Sequence, residues 1–330
     1  MLNQNTIHDI RAVKIEDSVY EAVMDGLQKD PRILPIMILY GTEGLQHWDR
    51  HSHAPDYYLR HEELQILRAQ SHKIAESIAD NSAIVDLGSG GLDKLEIILN
   101  ALEEQKKRVT YYALDLSREE LESTLHTLPS ERYQSTIGNF SRENAANFIR
   151  QMAESACTSP EDESSILLSI DSCKLPTKVL RAYTSDGVVP FAMAGLQHAS
   201  SIIRDSSGGT EHVGDVFQTD DWYYLSEYNP IMGRHEASYT PRERDITLGV
   251  PLHHITIKKG EKIRFGYSHK YSPTERKELF KKAGVVAVDS WTLSGCDLGN
   301  SVVPPSRYCP WCHSNLLVIT AFYQLKLAKH

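Results

Sequence analysis

No apolar stretch in this sequence is long enough to cross a bilayer. The longest, Ile33 to Tyr40, is interrupted by Pro35 and falls well short of the roughly 20 residues that a spanning helix needs. Basic residues are in deficit, 35 lysines and arginines against 44 acids, and they are scattered rather than gathered into a stripe. The net charge of -9 therefore argues against a nucleic-acid partner. Cysteine is scarce: five residues, an odd number without regular spacing, fit free thiols in a reducing compartment better than a disulfide framework. Met1 to Arg11 lacks the apolar centre of a secretory signal, so the expected location is cytoplasmic, with no membrane contact. No segment repeats. What remains is 330 residues with 41% apolar content, enough for one large core or for two lobes.

A helix is expected over Ser18 to Leu27, followed by a stretch rich in histidine and aromatic residues from His47 to Tyr58. Leu64, Ile66, Leu67, Ile74 and Ile78 then recur near helical spacing. The clearest pattern comes next. Ala83-Ile-Val-Asp-Leu87 has the character of a short buried strand, Gly88-Ser-Gly-Gly91 of a tight turn, and Lys94 to Lys107 of a helix. Val109 to Leu114 is a second strand and ends in Asp115. This unit is half of a doubly wound α/β sheet that binds its ligand at the carboxyl ends of the strands. Further on, Ser141 to Glu154 predicts a helix, Ser165 to Ile170 a strand, and Lys174 to Gly260 a lobe of different texture inserted into the sheet domain. Ser272-Pro-Thr-Glu275 is a capping box with proline at the first helical position, so a helix starts there. Val285 to Trp291 and Phe322 to Leu327 are the expected closing antiparallel strands.

A glycine turn between strand and helix lets backbone amides approach a ligand, but its spacing does not separate a dinucleotide from S-adenosylmethionine. Its flanks do more. Asp86 precedes the turn, and Asp93 stands where the dinucleotide fingerprint expects its third glycine. A carboxylate there repels a diphosphate and tolerates a sulfonium or an ammonium, which disfavours a nicotinamide dehydrogenase. Asp115 is placed either to accept bonds from two ribose hydroxyls or to cap a helix, a task for which Ser117 competes. Lys94 is either a cofactor contact or a solvated lysine of the first helical turn. His47, His51 and His53 fall on no regular face, and Cys309-Pro-Trp-Cys-His313 is one pair without a second, so no metal site is expected.

Longer strings carry a family likeness. Tyr57-Tyr-Leu-Arg-His-Glu-Glu63, Asp86-Leu-Gly-Ser-Gly90 with Lys94, Ala113-Leu-Asp-Leu-Ser117, Thr136-Ile-Gly-Asn-Phe-Ser141 and Ser268-His-Lys-Tyr271 resemble the histidine-type N-methyltransferases of ergothioneine biosynthesis. Gln46-His-Trp-Asp-Arg-His-Ser-His53, Asp171-Ser-Cys-Lys-Leu-Pro-Thr-Lys178, Arg181-Ala-Tyr-Thr184 and Gly233-Arg-His-Glu-Ala-Ser238 are similar to the ergot alkaloid branch, whose substrate is a prenylated tryptophan.

The resemblance implies a Rossmann-like class I methyltransferase sheet with an inserted α+β substrate-binding lobe. The cofactor domain would take 61–173 and 271–330, and the substrate lobe 1–60 and 174–270. Asp86, Gly88, Ser89, Gly90, Lys94 and Asp115 would hold S-adenosylmethionine. Tyr58, Asn139, Tyr183 and Ser268 would line the amino-acid pocket, where packed aromatics and a turn asparagine are the plain alternatives. The histidine enzymes carry a glutamate two residues before that serine. Gly266 stands in its place here, which leaves room for a bulkier, apolar side chain. The partner implied is a small molecule, and a homodimer stays open.

Two departures stand out. Between Ser130 and Thr136 the family carries roughly forty more residues, the size of a full βα unit, so the expectation is that one unit is missing and an inner strand position is empty. Gly299 to Thr320, conversely, interrupts the path into the last strand. Family-like sequence resumes on either side of each, the pattern of a mis-joined gene model.

Overall fold

The computed structural model describes residues 15–87, 93–114, 140–156, 165–185, 187–206, 216–297, 316–320 and 323–327. These fall into two compact units. The first takes His61–Lys174 and the chain from His269 onward, and the second takes the described chain up to Arg60 and Leu175–Ser268.

The first unit is built on a six-stranded mixed sheet. Its strands are β1 (Ser82–Leu87), β2 (Val109–Leu114), β3 (Ser165–Leu168), β9 (Val285–Ser290), β10 (Leu316–Thr320) and β11 (Tyr323–Leu327), in the order β2-β1-β10-β3-β11-β9. β1 runs parallel to β2 with Asp86 opposite Ala113. β11 closes the sheet antiparallel to β9, as expected. The expected empty inner position is corrected: β10 lies there, parallel to β1 on one side and to β3 on the other. Leu316-Leu-Val-Ile-Thr320 has the largely apolar composition, with three β-branched residues, that suits a central parallel strand, although it comes from the segment expected to interrupt the fold.

Helix α4 (Asp93–Glu104) connects β1 to β2, and it buries Leu95, Ile98 and Leu102 at helical spacing. Helices α5 (Arg142–Ala156) and α8 (Pro273–Ala283) pack with β3 and β9 in one core that includes Ile149, Ile166, Leu168, Leu279, Phe280 and Val285. The start of α8 is fixed as its sequence predicts. Ser272 accepts a bond from the Glu275 amide, and Glu275 reaches back to the Ser272 amide at 2.6 Å. Its end is fixed by Gly284, at φ 69°, a left-handed conformation that favours glycine.

Charged groups knit together the segment following β3 and the segment leading into α8. Lys270, fully buried, pairs with Asp171 at 2.6 Å, and Asp171 also accepts the Cys173 amide at 2.8 Å. Lys174 donates to the Lys270 carbonyl and pairs with Glu275 at 2.8 Å.

The second unit has a three-stranded sheet in the order β4-β5-β8, with β4 (Trp222–Asn229), β5 (Arg234–Pro241) and β8 (Ile263–His269). A short ribbon, β6 (Ile246–Thr247) and β7 (Thr256–Ile257), adds to it. Helices α1 (Ile15–Gln28) and α7 (Val188–Ser206), with a 3-10 turn at Ile36–Tyr40, complete the core around Leu27, Ile38, Leu196, Trp222, Tyr239 and Phe265. Gly195 of α7 allows a close approach, because a Cβ there would lie 2.9 Å from the Tyr239 hydroxyl and 2.8 Å from Leu39 Cδ2. That hydroxyl donates to the Ala192 carbonyl at 2.5 Å. The histidine-rich stretch forms α2 (Thr42–Ser52), which its polar composition hides. His51 and Ser52 are buried with Leu45, so polar residues complete the inward face. α3 (Tyr58–Glu76) begins in the second unit and continues into the first.

Candidate active site

In the first unit, fixed charges flank the glycine turn on both sides. Asp86 ends β1 just before it, and its side chain is only 7% exposed as part of a buried residue. Tyr111, on the neighbouring strand, donates to Asp86 at 3.2 Å. Burial pushes the Asp86 carboxyl up to about 6, against the downward pull of the Tyr111 hydroxyl and the Lys94 ammonium, while Glu63 adds to the rise. Lys94 stands in the first turn of α4 and pairs with Glu63 of α3 at 2.5 Å. It is therefore no freely solvated lysine. Glu62, the next residue along α3, points its carboxylate at the Asp297 amide, 2.7 Å away. Asp93 opens α4. Gly88, Ser89, Gly90 and Asp115 lie outside the described residues.

These flanks fit S-adenosylmethionine by the chemistry of their donors. With Asp86 ionised, Asp86, Glu63 and Lys94 sum to one negative charge. The cofactor carries a sulfonium, an ammonium and a carboxylate, and sums to one positive charge. A diphosphate would meet repulsion from both acids.

In the second unit, α6 (Pro176–Ala182) brings two of the expected pocket residues into one neighbourhood. Lys178 places its ammonium 4.5 Å above the Tyr58 ring, and Tyr183 follows the last turn of the helix as its cap. The Tyr183 ring stacks on His235 of β5, with centroids 3.9 Å apart and planes 8° from parallel. His235 is held by Ser226 of β4 at 2.9 Å, and the Tyr183 carbonyl accepts the Tyr224 hydroxyl at 3.0 Å. Tyr57 meets Tyr183 edge-on and lies 4.7 Å from the His51 ring, and Trp48 and Phe191 continue the group. Tyr40 keeps its proton at neutral pH, because burial, with the Tyr183 phenol adding to it, pushes its hydroxyl up to about 12. Ser268 is buried in β8, two residues past Gly266. A Cβ on Gly266 would touch Ile36 Cδ1 at 3.4 Å, so an aliphatic side chain borders the position. Asn139 lies outside the described residues.

Sequence reasoning assigned no role to Glu63, Tyr111, Lys178 or His235, and it weighed His51 only as a metal ligand before setting that role aside. The spacing of Trp48 and His51, one helical turn apart, was a usable signal for the aromatic group. His235 had none, since only the pairing of β4 with β5 sets it beside Ser226. The three histidines also separate. His51 enters the aromatic group, whereas His47 and His53 sit near Glu43 and Asp49, one turn away on α2. Among the described residues, no cluster of histidine, cysteine and acids has metal-binding form, and no helix is long and apolar enough to cross a membrane. Cys309 and Cys312 lie outside them.

Comparison with known proteins agrees with this chemistry. A relative from Arthroderma benhamiae, named 4-dimethylallyltryptophan N-methyltransferase, is 46% identical over 332 positions that cover 90% of this chain and 96% of that protein. Relatives of the same name from Aspergillus fumigatus and Epichloe festucae var. lolii are 45% and 42% identical, covering 88% and 99% of this chain and 95% and 100% of their own lengths. The family described as "Histidine-specific methyltransferase, SAM-dependent" matches in two pieces, over residues 19–134 and 133–304. With acids and a lysine flanking the glycine turn and a match running through both units, the chain belongs to the S-adenosylmethionine-dependent, histidine-specific methyltransferase family.

Proposed function

We propose that the chain transfers a methyl group from S-adenosylmethionine to the α-amine of 4-dimethylallyl-L-tryptophan, a step of ergot alkaloid biosynthesis. The reading rests above all on the shared name of relatives that match nearly the whole chain. Gly266 and the aromatic group around Tyr183 support it, because a position without an acidic side chain and a set of packed rings suit a prenylated indole better than a bare imidazole.

The cofactor supplies an electrophilic methyl carbon on a sulfonium when bound. The residues of the chain must then place the amine in line with it and keep that amine unprotonated. Free α-amines are protonated at neutral pH, and burial in an apolar pocket favours their neutral form. The Lys178 ammonium, 4.5 Å above Tyr58, works in the same direction by repelling a second cation beside that ring. Tyr58 and Asn139 orient the nitrogen, Tyr183 and Ser268 line the pocket, and Asp86, Gly88, Ser89, Gly90, Lys94 and Asp115 hold the cofactor. Incubation with labelled S-adenosylmethionine and the prenylated amino acid, followed by mass spectrometry, tests the whole reading. A monomethyl product is expected, and its absence refutes it.

The finer fold assignment belongs to the same proposal: a Rossmann-like class I sheet in the first unit, the substrate lobe in the second, and one βα unit absent after Ser130. Two observations support the absence. The family match breaks at residues 133–134. The comparison with the Epichloe protein needs 368 positions to cover 99% of a 330-residue chain, which leaves about forty positions without a counterpart. A mis-joined gene model explains both this and the Gly299 to Thr320 segment, and a transcript encoding the chain as printed would refute that explanation. Cys173 and Cys296, buried thiols outside any disulfide, suit a reducing cytosol. A second reading, Nα-methylation of histidine, is favoured by the family description and opposed by Gly266. Relative turnover of histidine and the prenylated substrate separates the two.

A further inference from the structure

We propose that Glu63, together with Lys94, recognises the zwitterionic amino-acid end of S-adenosylmethionine. Glu63 is thus a cofactor-binding residue in addition to those of the glycine turn. The inference rests on the reading that the turn after Asp86 holds this cofactor.

The two side chains pair at 2.5 Å while retaining partial exposure, 16% for Glu63 and 23% for Lys94. They come from separate elements: Glu63 from the second turn of α3, Lys94 from the first turn of α4 directly after the glycine turn. Both act on the carboxyl of Asp86, on the other side of that turn, Lys94 lowering its proton affinity and Glu63 raising it. Three formal charges are thus gathered at the end of β1 and the start of α4. The adjacent Glu62 shows what a purely structural acid looks like on the same helix, since it is buried and satisfied by a backbone amide. Glu63 instead holds a cation that stands beside the loop.

The amino-acid end of the cofactor carries one ammonium and one carboxylate separated by a single carbon. A preformed carboxylate and ammonium pair is its electrostatic counterpart. The cofactor ammonium goes to Glu63 and its carboxylate to Lys94, so each charge exchanges one partner for another or gains a second. Because the protein charges are already fixed in place, little reorganisation opposes binding.

Calorimetric titration with two ligands tests this directly. S-adenosylhomocysteine carries the amino-acid end, and 5'-methylthioadenosine lacks it. In Glu63→Gln the affinity for S-adenosylhomocysteine is expected to fall by about ten- to a hundredfold, the worth of a charge-assisted hydrogen bond, while that for methylthioadenosine stays within about twofold. The double variant Glu63→Lys/Lys94→Glu keeps an ion pair but reverses its direction. It should keep its melting temperature and methylthioadenosine binding and still lose S-adenosylhomocysteine. Equal losses for both ligands, or no loss for either, overturn the proposal and leave Glu63 a tether between α3 and α4. If the parent protein binds methylthioadenosine as tightly as S-adenosylhomocysteine, the charge-pair reading fails alone. If it binds neither, the cofactor assignment of the loop fails with it.

Discussion

Replacing Asp86 with asparagine should make the protein more stable at neutral pH and weaker in its hold on the cofactor. The carboxyl is buried, and burial raises it from 3.8 to about 6. Between about pH 4 and 6 the folded chain retains a proton that the unfolded chain releases. The contribution of this group is therefore most favourable below pH 4, and it is lost as pH rises toward 6. About two pH units at 1.36 kcal/mol each give a cost of about 3 kcal/mol at pH 7.5 and almost none at pH 4. Asparagine removes the charge and keeps an oxygen for Tyr111, so the gain at pH 7.5 should approach that figure. In a chain of this size it corresponds to a rise of about 4 °C in melting temperature. Paired thermal melts of parent and Asp86→Asn at pH 4.5 and 7.5 read it out. A ligand that needs ionised Asp86 should also bind the parent about tenfold more weakly at pH 5 than at pH 7, which titration with S-adenosylhomocysteine measures. Equal melting shifts at the two pH values, or a variant less stable than the parent at pH 7.5, would refute the reasoning.

Three further outcomes are expected. Lys270→Met leaves the Asp171 carboxylate buried without its cation, and urea unfolding should show a loss of about 3–5 kcal/mol. Asp171→Asn/Lys270→Met removes both charges and keeps an acceptor for the Cys173 amide, so it should regain more than half of that; a double variant as unstable as the single one would contradict the charge argument. Ser272→Ala removes the α8 cap and should cost about 1 kcal/mol, and no change in the unfolding midpoint would show that Glu275 alone secures the helix start. Gly266→Glu places a charged side chain against Ile36, and the KM for the prenylated substrate should rise at least about tenfold, the price of one ill-fitting polar group in an apolar pocket. An unchanged KM would remove Gly266 from the pocket.

The local chemistry of this protein is written in neighbouring residues. Strand β1, α4 and β2 follow from apolar periodicity. The start of α8 follows from Ser272, Pro273 and Glu275, whose hydrogen bonds span only three positions. The closing pair β9 and β11 was legible as two short segments rich in valine, leucine and aromatic residues near the end of the chain. Candidate residues such as Asp86, Lys94, Tyr58 and Tyr183 came from motif and family likeness, and sequence could place them on elements but not beside partners.

Tertiary structure decided the rest. Leu316–Thr320 takes an inner strand position between β1 and β3, since strand pairing depends on which edges are open in space and not on order along the chain. Glu63 meets Lys94 and His235 meets Tyr183 across long stretches of sequence, through packing that no local period encodes. Asp171 and Lys270 lie farther apart still along the chain. Propensity and capping act within a few residues and can be read there, whereas charge pairing and ring stacking act through space and exist only once the chain has folded.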